Sequence, residues 1–523
     1  MYSGLVAALS ALPALQLAFA SSSPQHHEGH PLNSDHQGGR QGTKNFIYIV
    51  PDGYGQASQT LARDYVGFLR NGGDAQHPIS VEIGADDLVI GTVKTYASDN
   101  LITDSAASAT AFGCGVKTFN GAIAVDDDGS PVGSILETAR LAGFKTGLVV
   151  TSRITHATPA CYAAHVPDRD MESIIAEQEL GYSHPLGSVV DILVGGGRCY
   201  FQPQSNENSC REDDIDLLQW AEDEGWTVMT DRASFDQVLA ESDVAPALPY
   251  LGLFADSHMS YELDRDPAEQ PSLLETTKAA LGSLKKATES SEHGERCYFI
   301  MIEASRIDHA GHANDVAGHL HETLMYNDVM QYVQEWIDSN PDTQMLSAAD
   351  HECGGLTLTG FDPYGLINSQ NTPDVLGDMF EDYSGDDLAG YLRNTIFPLY
   401  GITNATEADV AEVIAMRGDS DWSKVIGAVL AREVGVNWST GSHTAADVTL
   451  HGYAAEGKID SLKARMSNNW DNTELPLYIE EVLGLEMDDA TTALRANGTE
   501  WVPTMPVEER RRRRGLDLHA HHH

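Results

Sequence analysis

Basic side chains are scarce in this chain of 523 residues: 32 Lys and Arg stand against 78 Asp and Glu, a formal net charge of -46. A surface this acidic repels polyanions and argues against nucleic-acid binding through phosphates. Any anion site must then carry local positive charge, which bound metal ions would supply. Cysteine is scarce too. There are six, with no CxxC, so a cysteine zinc site is not expected. Cys199 and Cys210 bracket the polar loop YFQPQSNENS and are expected to pair in an oxidising compartment. Cys114, Cys161, Cys297 and Cys353 sit in or beside apolar segments and read as buried thiols. Long apolar runs are confined to the N-terminus, since no other segment approaches the ~20 residues of a membrane span. Gly195-Gly196-Gly197 lacks the following Lys-Ser/Thr of a P-loop and reads as a tight turn.

What is present is a normal soluble composition, 41% apolar and 21% charged, enough to bury a real core. The length fits one large α/β domain with insertions, or several average ones. The start, MYSGLVAALSALPALQLAFA, has an uncharged apolar run ending in Ala18-Phe19-Ala20, a small-x-small cleavage pattern. Residues 1–20 are therefore expected to be a signal peptide and the protein to be secreted, without a stable membrane span after cleavage. The competing reading is an uncleaved anchor, with a vacuole-like or membrane-anchored location. The sequons at Asn404, Asn437 and Asn497 agree with that route. Residues 21–43, rich in His, Gly and Ser, are expected to be a disordered linker, and 506–523 a disordered Arg/His-rich tail.

From Lys44 onward strand and helix patterns alternate. VGSILETARLAG and LLETTKAALGSLKKATES have helical periodicity, and VDILVGGG reads as a strand entering a turn. The fold expected for 44–505 is α/β, a three-layer sandwich with a large, mostly parallel central sheet. Between about 355 and 440 the rhythm weakens into loops and short helices, read as an insertion on the ligand-binding edge.

Four strand-like stretches each end on acidic or metal-binding residues. NFIYIV leads to Asp52, GLVVTS to His156 and Thr158, CYFIMI to Glu303, Asp308 and His309, and TQMLSA to Asp350-His351. In an open α/β sheet such ends converge on one crevice. Asp308 and His312 stand four apart, one helical turn, and with His443 give an Asp/His/His set suited to zinc. Asp350, His351 and Asp52 give a second mixed set. Thr158, Glu303 and a bridging Asp52 give an all-oxygen set that suits magnesium. In the small-residue run Asp104-Ser105-Ala106-Ala107, Ser105 would lie in a first helical turn, where free N–H groups favour an anion. Taken alone, that run reads as a simple N-cap, and the metal-type residues at the strand ends are what favour the anion site.

In this order the motifs resemble the alkaline phosphatase family: the Pro51-Asp52-Gly53 strand end, Asp104-Ser105-Ala106-Ala107, His156-Ala157-Thr158-Pro159, Arg169, Glu303 to His312, Asp350-His351 and a late His443. The resemblance spans about Lys44 to Tyr453. It implies hydrolysis of phosphate monoesters at alkaline pH by a homodimer with two zinc ions and one magnesium per chain, and a crown-like form for the 355–440 insertion. Asp308, His312 and His443 would hold the first zinc, and Asp52, Asp350 and His351 the second. Thr158 and Glu303, with Asp52, would hold magnesium. Ser105 would be the nucleophile, passing through a phosphoserine. Arg169 would grip the phosphate, oriented by Asp104, with Arg153 and Arg306 as alternatives. His156 and His309 stand where the bacterial archetype has Asp and Lys, which resembles the eukaryotic branch. An imidazole there would let zinc or cobalt replace magnesium at the third site. Among rivals, a sulfatase of the same superfamily needs a Cys/Ser-x-Pro-x-Arg segment, absent here, and a phosphodiesterase usually lacks this arginine placement. A non-catalytic metal or phosphate scavenger would need neither Ser105 nor Arg169.

Overall fold

The computed structural model describes residues 42–241, 245–289 and 297–505. The expected signal peptide, all but the end of the linker, and the Arg/His-rich tail lie outside the described residues. Strand β1 (Asn45–Pro51) is buried on both faces beyond its first residue, as a continuous apolar run in a parallel sheet should be. Its neighbours are β7 (Tyr298–Ala304) on one side and β8 (Thr343–Ala348) on the other, both parallel. The register pairs Val50 with Glu303, and Ile49 with Ser347, so Asp52, Glu303 and Asp350 emerge at one end of the sheet. Strand β3 (Lys145–Arg153) lies against the far side of β7 and delivers His156 and Thr158 to the same end. The four stretches singled out in the sequence are thus four consecutive strands, β8-β1-β7-β3.

Beyond β3 the sheet continues through β4 (Ile192–Gly196), β6 (Tyr250–Leu253) and β5 (Thr227–Met229), all parallel. Beyond β8 comes β13 (Val448–Ala454), which runs against the others, then β2 (Val89–Lys94) and β14 (Asn469–Asp471). Two short pairings lie outside the main sheet: β9 (Glu352–Cys353) with β12 (His443–Thr444), and β10 (Leu356–Leu358) with β11 (Val436–Trp438).

Side-chain alternation along β7 separates two helical layers. Tyr298 receives the indole N–H of Trp336 from helix Val316–Ser339, whereas its successor Phe299 packs on Tyr162. Phe46, level with Phe299, meets Tyr478 of helix Glu474–Leu483, and Tyr48 meets Phe112 of helix Ser105–Cys114. The α/β expectation holds, with helices on both faces.

Residues 363–434 carry helices with a core of their own. Leu376, Phe380, Trp422, Ile426 and Leu430 cluster with Leu61 and Leu320 from helices Gln56–Arg70 and Val316–Ser339. The weak periodicity there reflects short elements, not missing apolar cover. Cys199 and Cys210 form the disulfide expected of them. Cys114, Cys161 and Cys353 are buried, but Cys297 is half-exposed, contrary to the sequence reading, because it stands one residue before the covered part of β7.

Candidate metal and phosphate site

Helix Arg306–His312 begins two residues after β7 and lies across the strand ends. Its approach depends on Gly53, whose φ of 74° is left-handed. A Cβ there would come within 2.5 Å of the Asp308 Cα. Asp308 and His312, one turn apart, meet at 3.3 Å between Oδ2 and Nε2. His443 comes from β12, and its Nε2 lies 3.5 Å from Asp308 Oδ1 and 3.0 Å from His312 Nε2. The Nδ1 atoms of His312 and His443 face the carbonyl oxygens of Gly441 and Thr103 at 2.8 and 2.9 Å. A carbonyl only accepts, so both Nδ1 atoms donate and both Nε2 atoms turn into the set, the usual outer-shell support of a metal-ligating histidine.

The second set is adjacent. Asp350 Oδ1 accepts from the backbone N–H groups of Gly53 and His351, leaving Oδ2 3.2 Å from His351 Nε2. Neither carboxylate oxygen of the fully buried Asp52 accepts a hydrogen bond. Buried polar atoms are rarely left so, and a group of unsatisfied carboxylate oxygens facing imidazoles is what a cation would complete. The rings of His351 and His443 stack at 3.4 Å, which joins the two sets.

At the third corner, Glu303 Oε2 accepts from Ser305 Oγ at 2.5 Å and Ser152 Oγ at 3.2 Å, and its Oε1 is buried without a well-formed hydrogen bond, as is the hydroxyl of Thr158 beside it. Burial lifts the Glu303 carboxyl to about 7, and burial with Asp350, Asp308 and Glu303 nearby lifts Asp52 well above the usual range. Burial also opposes ionisation of Asp308, but His312, His443 and His351 outweigh it and hold that carboxyl well below the ordinary value. Such crowding of carboxylates is costly without positive charge and suits a site built for cations. The donor chemistry fits the ions expected: two sets mixing imidazole nitrogen with carboxylate oxygen, and one of oxygen alone.

Ser105 opens helix Ser105–Cys114, and its Oγ lies 3.2 Å from His351 Nε2. Asp104 caps that helix by accepting from the Ala107 N–H at 2.9 Å, and its other oxygen receives Arg169 Nη1 at 3.3 Å and the Gly121 N–H at 2.9 Å. Arg169 Nη2 reaches His156 Nε2 at 3.0 Å. The alternative arginines face the outer histidines of the site, not Asp104: Arg153 Nη1 lies 2.7 Å from His258 Nε2, and Arg306 Nε donates to His309 Nδ1 at 3.2 Å. Arg153 pairs with Glu172 at 2.8 Å, and Arg306 lies on the Tyr261 ring, 3.5 Å from Asp374.

All thirteen residues singled out in the sequence thus gather around the ends of β8, β1, β7 and β3. His309 directly follows Asp308 of the first set, its ring 5.6 Å from that of His156. Two neighbours escaped the sequence reading. His258 lies between, 4.4 Å from the His309 ring and 5.4 Å from that of His156. It follows β6, so the strand-end rule extended two strands beyond β3 would have found it. Cys353 converges with Asp308, His312 and His443 within 4.8 Å. It stands two residues after His351 but reads as an ordinary core thiol. Of the other histidines, His319 is buried between the Ile307 carbonyl and Ser58, and His451 packs on Tyr54 and Tyr326.

Residues 43–485 match the model of the alkaline phosphatase family. The chain belongs to the alkaline phosphatase family. It is 37% identical over 478 residues to the repressible alkaline phosphatase of Saccharomyces cerevisiae, covering 86% of this chain and 83% of that one. It is 34% identical to the alkaline phosphatase of Schizosaccharomyces pombe, covering 90% and 87%. Among solved structures, the alkaline phosphatase of Thermus thermophilus aligns with a TM-score of 0.71 at 27% identity, over 87% of this chain and 96% of that one. The chain is therefore a metal-dependent phosphatase, and hydrolysis of phosphate monoesters is the reaction its family supports.

Proposed function

We propose that Ser105 is the nucleophile of this phosphatase and that Arg169 holds the phosphoryl group during transfer. The observation that carries the reading is the placement of Ser105 Oγ, 3.2 Å from a histidine of the second set and one residue from the carboxylate that orients Arg169. First, the Ser105 Oγ–P bond forms as the bond from phosphorus to the leaving alcohol breaks, giving phosphoserine. Then a water oxygen bonds to phosphorus as the Oγ–P bond breaks, which restores Ser105 and releases inorganic phosphate. The planar guanidinium of Arg169 can grip two phosphate oxygens at once, and Asp104 fixes its plane.

Asp308, His312 and His443 would hold one zinc, Asp52, Asp350 and His351 another, and Thr158 and Glu303, with Asp52, a magnesium. Bound there, the ions would supply the charge that stabilises both the attacking and the departing oxygen. His156, two residues before Thr158, brings an imidazole to the third set, which would let zinc or cobalt take the place of magnesium, whereas His258 has both ring nitrogens turned to Arg153. The same reading takes the protein as a secreted homodimer acting on varied monoesters. Exposure of Asn404, Asn437 and Asn497 suits glycosylation, and no helix among the described residues is long and apolar enough to cross a membrane.

Acid trapping tests the nucleophile. Enzyme quenched at low pH during turnover of a simple aryl phosphate should carry phosphate on Ser105 by mass spectrometry. Phosphate on another residue, or none while hydrolysis proceeds, overturns the assignment.

A further inference from the structure

Away from the strand ends, Glu137, His165 and His184 bring one carboxylate and two imidazoles together within 4.8 Å, all buried. The residue types match those of Asp308, His312 and His443, so the cluster has the makings of a metal site. The outer ring nitrogens argue otherwise. His165 Nδ1 faces the Ala124 carbonyl at 2.9 Å and must donate to it. His184 Nδ1 instead accepts the backbone N–H of Leu186 at 3.2 Å, so a neutral His184 carries its proton on Nε2 and has no lone pair there for a metal. That Nε2 and the Nε2 of His165 each lie 3.0 Å from the same oxygen, Glu137 Oε1, with hydrogen-bond geometry at His165 and a close approach without it at His184. With a carbonyl at one nitrogen and a carboxylate at the other, His165 has acceptors on both sides and is satisfied only with a proton on each. Burial favours the neutral form of His184, and Glu137 stays ionised because its two imidazoles outweigh its burial.

The cluster ties together three distant pieces of chain. Glu137 also closes the capping box of helix Ile135–Leu141, accepting the Ser134 N–H on Oε2 at 2.7 Å, and Ser134 Oγ donates to the Tyr162 carbonyl. From His165 the chain continues to Val166, which exchanges two backbone hydrogen bonds with Ile123, and to Arg169, whose N–H donates to Gly121. Gly121 in turn donates to Asp104, the partner of the Arg169 side chain. The Trp501 indole covers the cluster, 5.4 Å from the His165 ring and 5.9 Å from that of His184.

We propose that Glu137, His165 and His184 form a metal-free clasp, held by a doubly protonated His165, that positions the segment carrying Arg169. Glu137 and His165 are positioning residues, acting through the backbone of residues 166–169. The positioning half rests on the phosphate-gripping reading of Arg169, and the protonation half does not.

Neutron diffraction from deuterated crystals of the metal-loaded enzyme tests the protonation half. Deuterons are expected on both ring nitrogens of His165 and on Nε2 alone of His184. A bare Nε2 on His165, or a metal ion between the three side chains, overturns it. Substitution tests the positioning half by an asymmetry. Gln at position 184 keeps a neutral donor, so His184→Gln should stay within about twofold of wild type in phosphate inhibition. His165→Gln and Glu137→Gln should raise the inhibition constant for phosphate about tenfold at unchanged metal content, with kcat less affected than KM. Equal damage from His165→Gln and His184→Gln, with loss of one metal ion per chain, is the signature of a metal site and overturns the proposal. If Arg169→Ala weakens phosphate binding while soluble, folded Glu137→Gln and His165→Gln leave it unchanged, positioning is wrong. If Arg169→Ala itself leaves it unchanged, the arginine assignment has failed. Should the substituted chains not fold, Trp501→Phe, which trims the cover over the clasp and also removes the indole N–H bond to the Leu494 carbonyl, is expected to shift the phosphate constant in the same direction, and an unmoved constant counts against positioning.

Discussion

Asp308 with His312 and His443, and Glu137 with His165 and His184, use the same side-chain types at the same depth. They part at the outer nitrogens. In the first cluster both Nδ1 atoms donate to carbonyls, and the two Nε2 atoms approach to 3.0 Å. In the second, one Nδ1 accepts an N–H, and both Nε2 atoms converge on a single carboxylate oxygen. Residue identity and burial therefore do not decide between metal and proton; the partners one bond further out do. Position in the fold agrees with that division. The first cluster stands among the ends of parallel strands, where ligands bind, and the second beneath a helix N-terminus.

The sharpest way to break the comparison is to strip metal. Exhaustive chelation should abolish phosphatase activity and lower the melting temperature, since each ion held at a thousand times its dissociation constant contributes about 4 kcal/mol. The Glu137 clasp should be untouched, so metal analysis before and after should account for all bound ions at the strand-end sets. Activity that survives proven metal loss would remove the distinction. Ser105→Ala comes next. It should lose more than about a hundredfold in kcat yet keep its metals, with some turnover left because the cations and Arg169 still act. A loss of zinc in that variant would mean Ser105 is structural to the metal cluster.

Arg169→Ala removes a charge-assisted contact of roughly 1.5–3 kcal/mol, so phosphate inhibition and substrate binding should weaken about ten- to a hundredfold. Metal content should not change. Wild-type behaviour in this variant, with loss in Arg153→Ala or Arg306→Ala, would move the phosphate grip to another arginine.

The smallest effect involves a buried carboxylate with no imidazole partner, Asp315. It accepts from the Tyr400 hydroxyl and the Ala317 N–H, and burial pushes it up to about 7, opposite in direction to Glu137. Its folded value lies above the unfolded one, so the folded state holds the extra proton between about pH 4 and pH 7. Stability should fall as pH rises through that window. Asp315→Asn keeps the helix cap and should flatten the fall in thermal melts. An unchanged slope would mean that Asp315 does not titrate there.

The strand ends were legible because a parallel strand buried on both faces is a short apolar run, and the residue just past it is on the ligand edge. Asp52, Glu303, Asp350 and His351 were read that way, and Ser105 from the small residues of its helix start. His258 was lost because its strand, YLGL, is short and followed by an ordinary turn, Ala255-Asp256-Ser257. Cys353 was lost because a thiol in an apolar setting looks the same whether it packs on a helix or on a ligand set. The Glu137 cluster was not legible at all. Its members stand 28 and 19 residues apart, and the tautomers that distinguish it are set by backbone groups of Ala124 and Leu186. The short helices of 363–434 were legible as such; that their apolar residues meet Leu61 and Leu320 from two distant helices in one cluster was not.

Chain that leaves the site at Cys353 returns to it at His443, and those two residues are paired neighbours across β9 and β12, with the Gly354 N–H donating to the Ser442 carbonyl. The whole excursion between them is a closed ring tied at its base. Ring length costs little once the base is tied, because closure entropy grows only with the logarithm of length. Closure entropy therefore sets no tight limit on the length of its outer helices as long as the base keeps His443 over Asp308. The limit on such change is apolar cover, since any replacement must still bury Leu61 and Leu320.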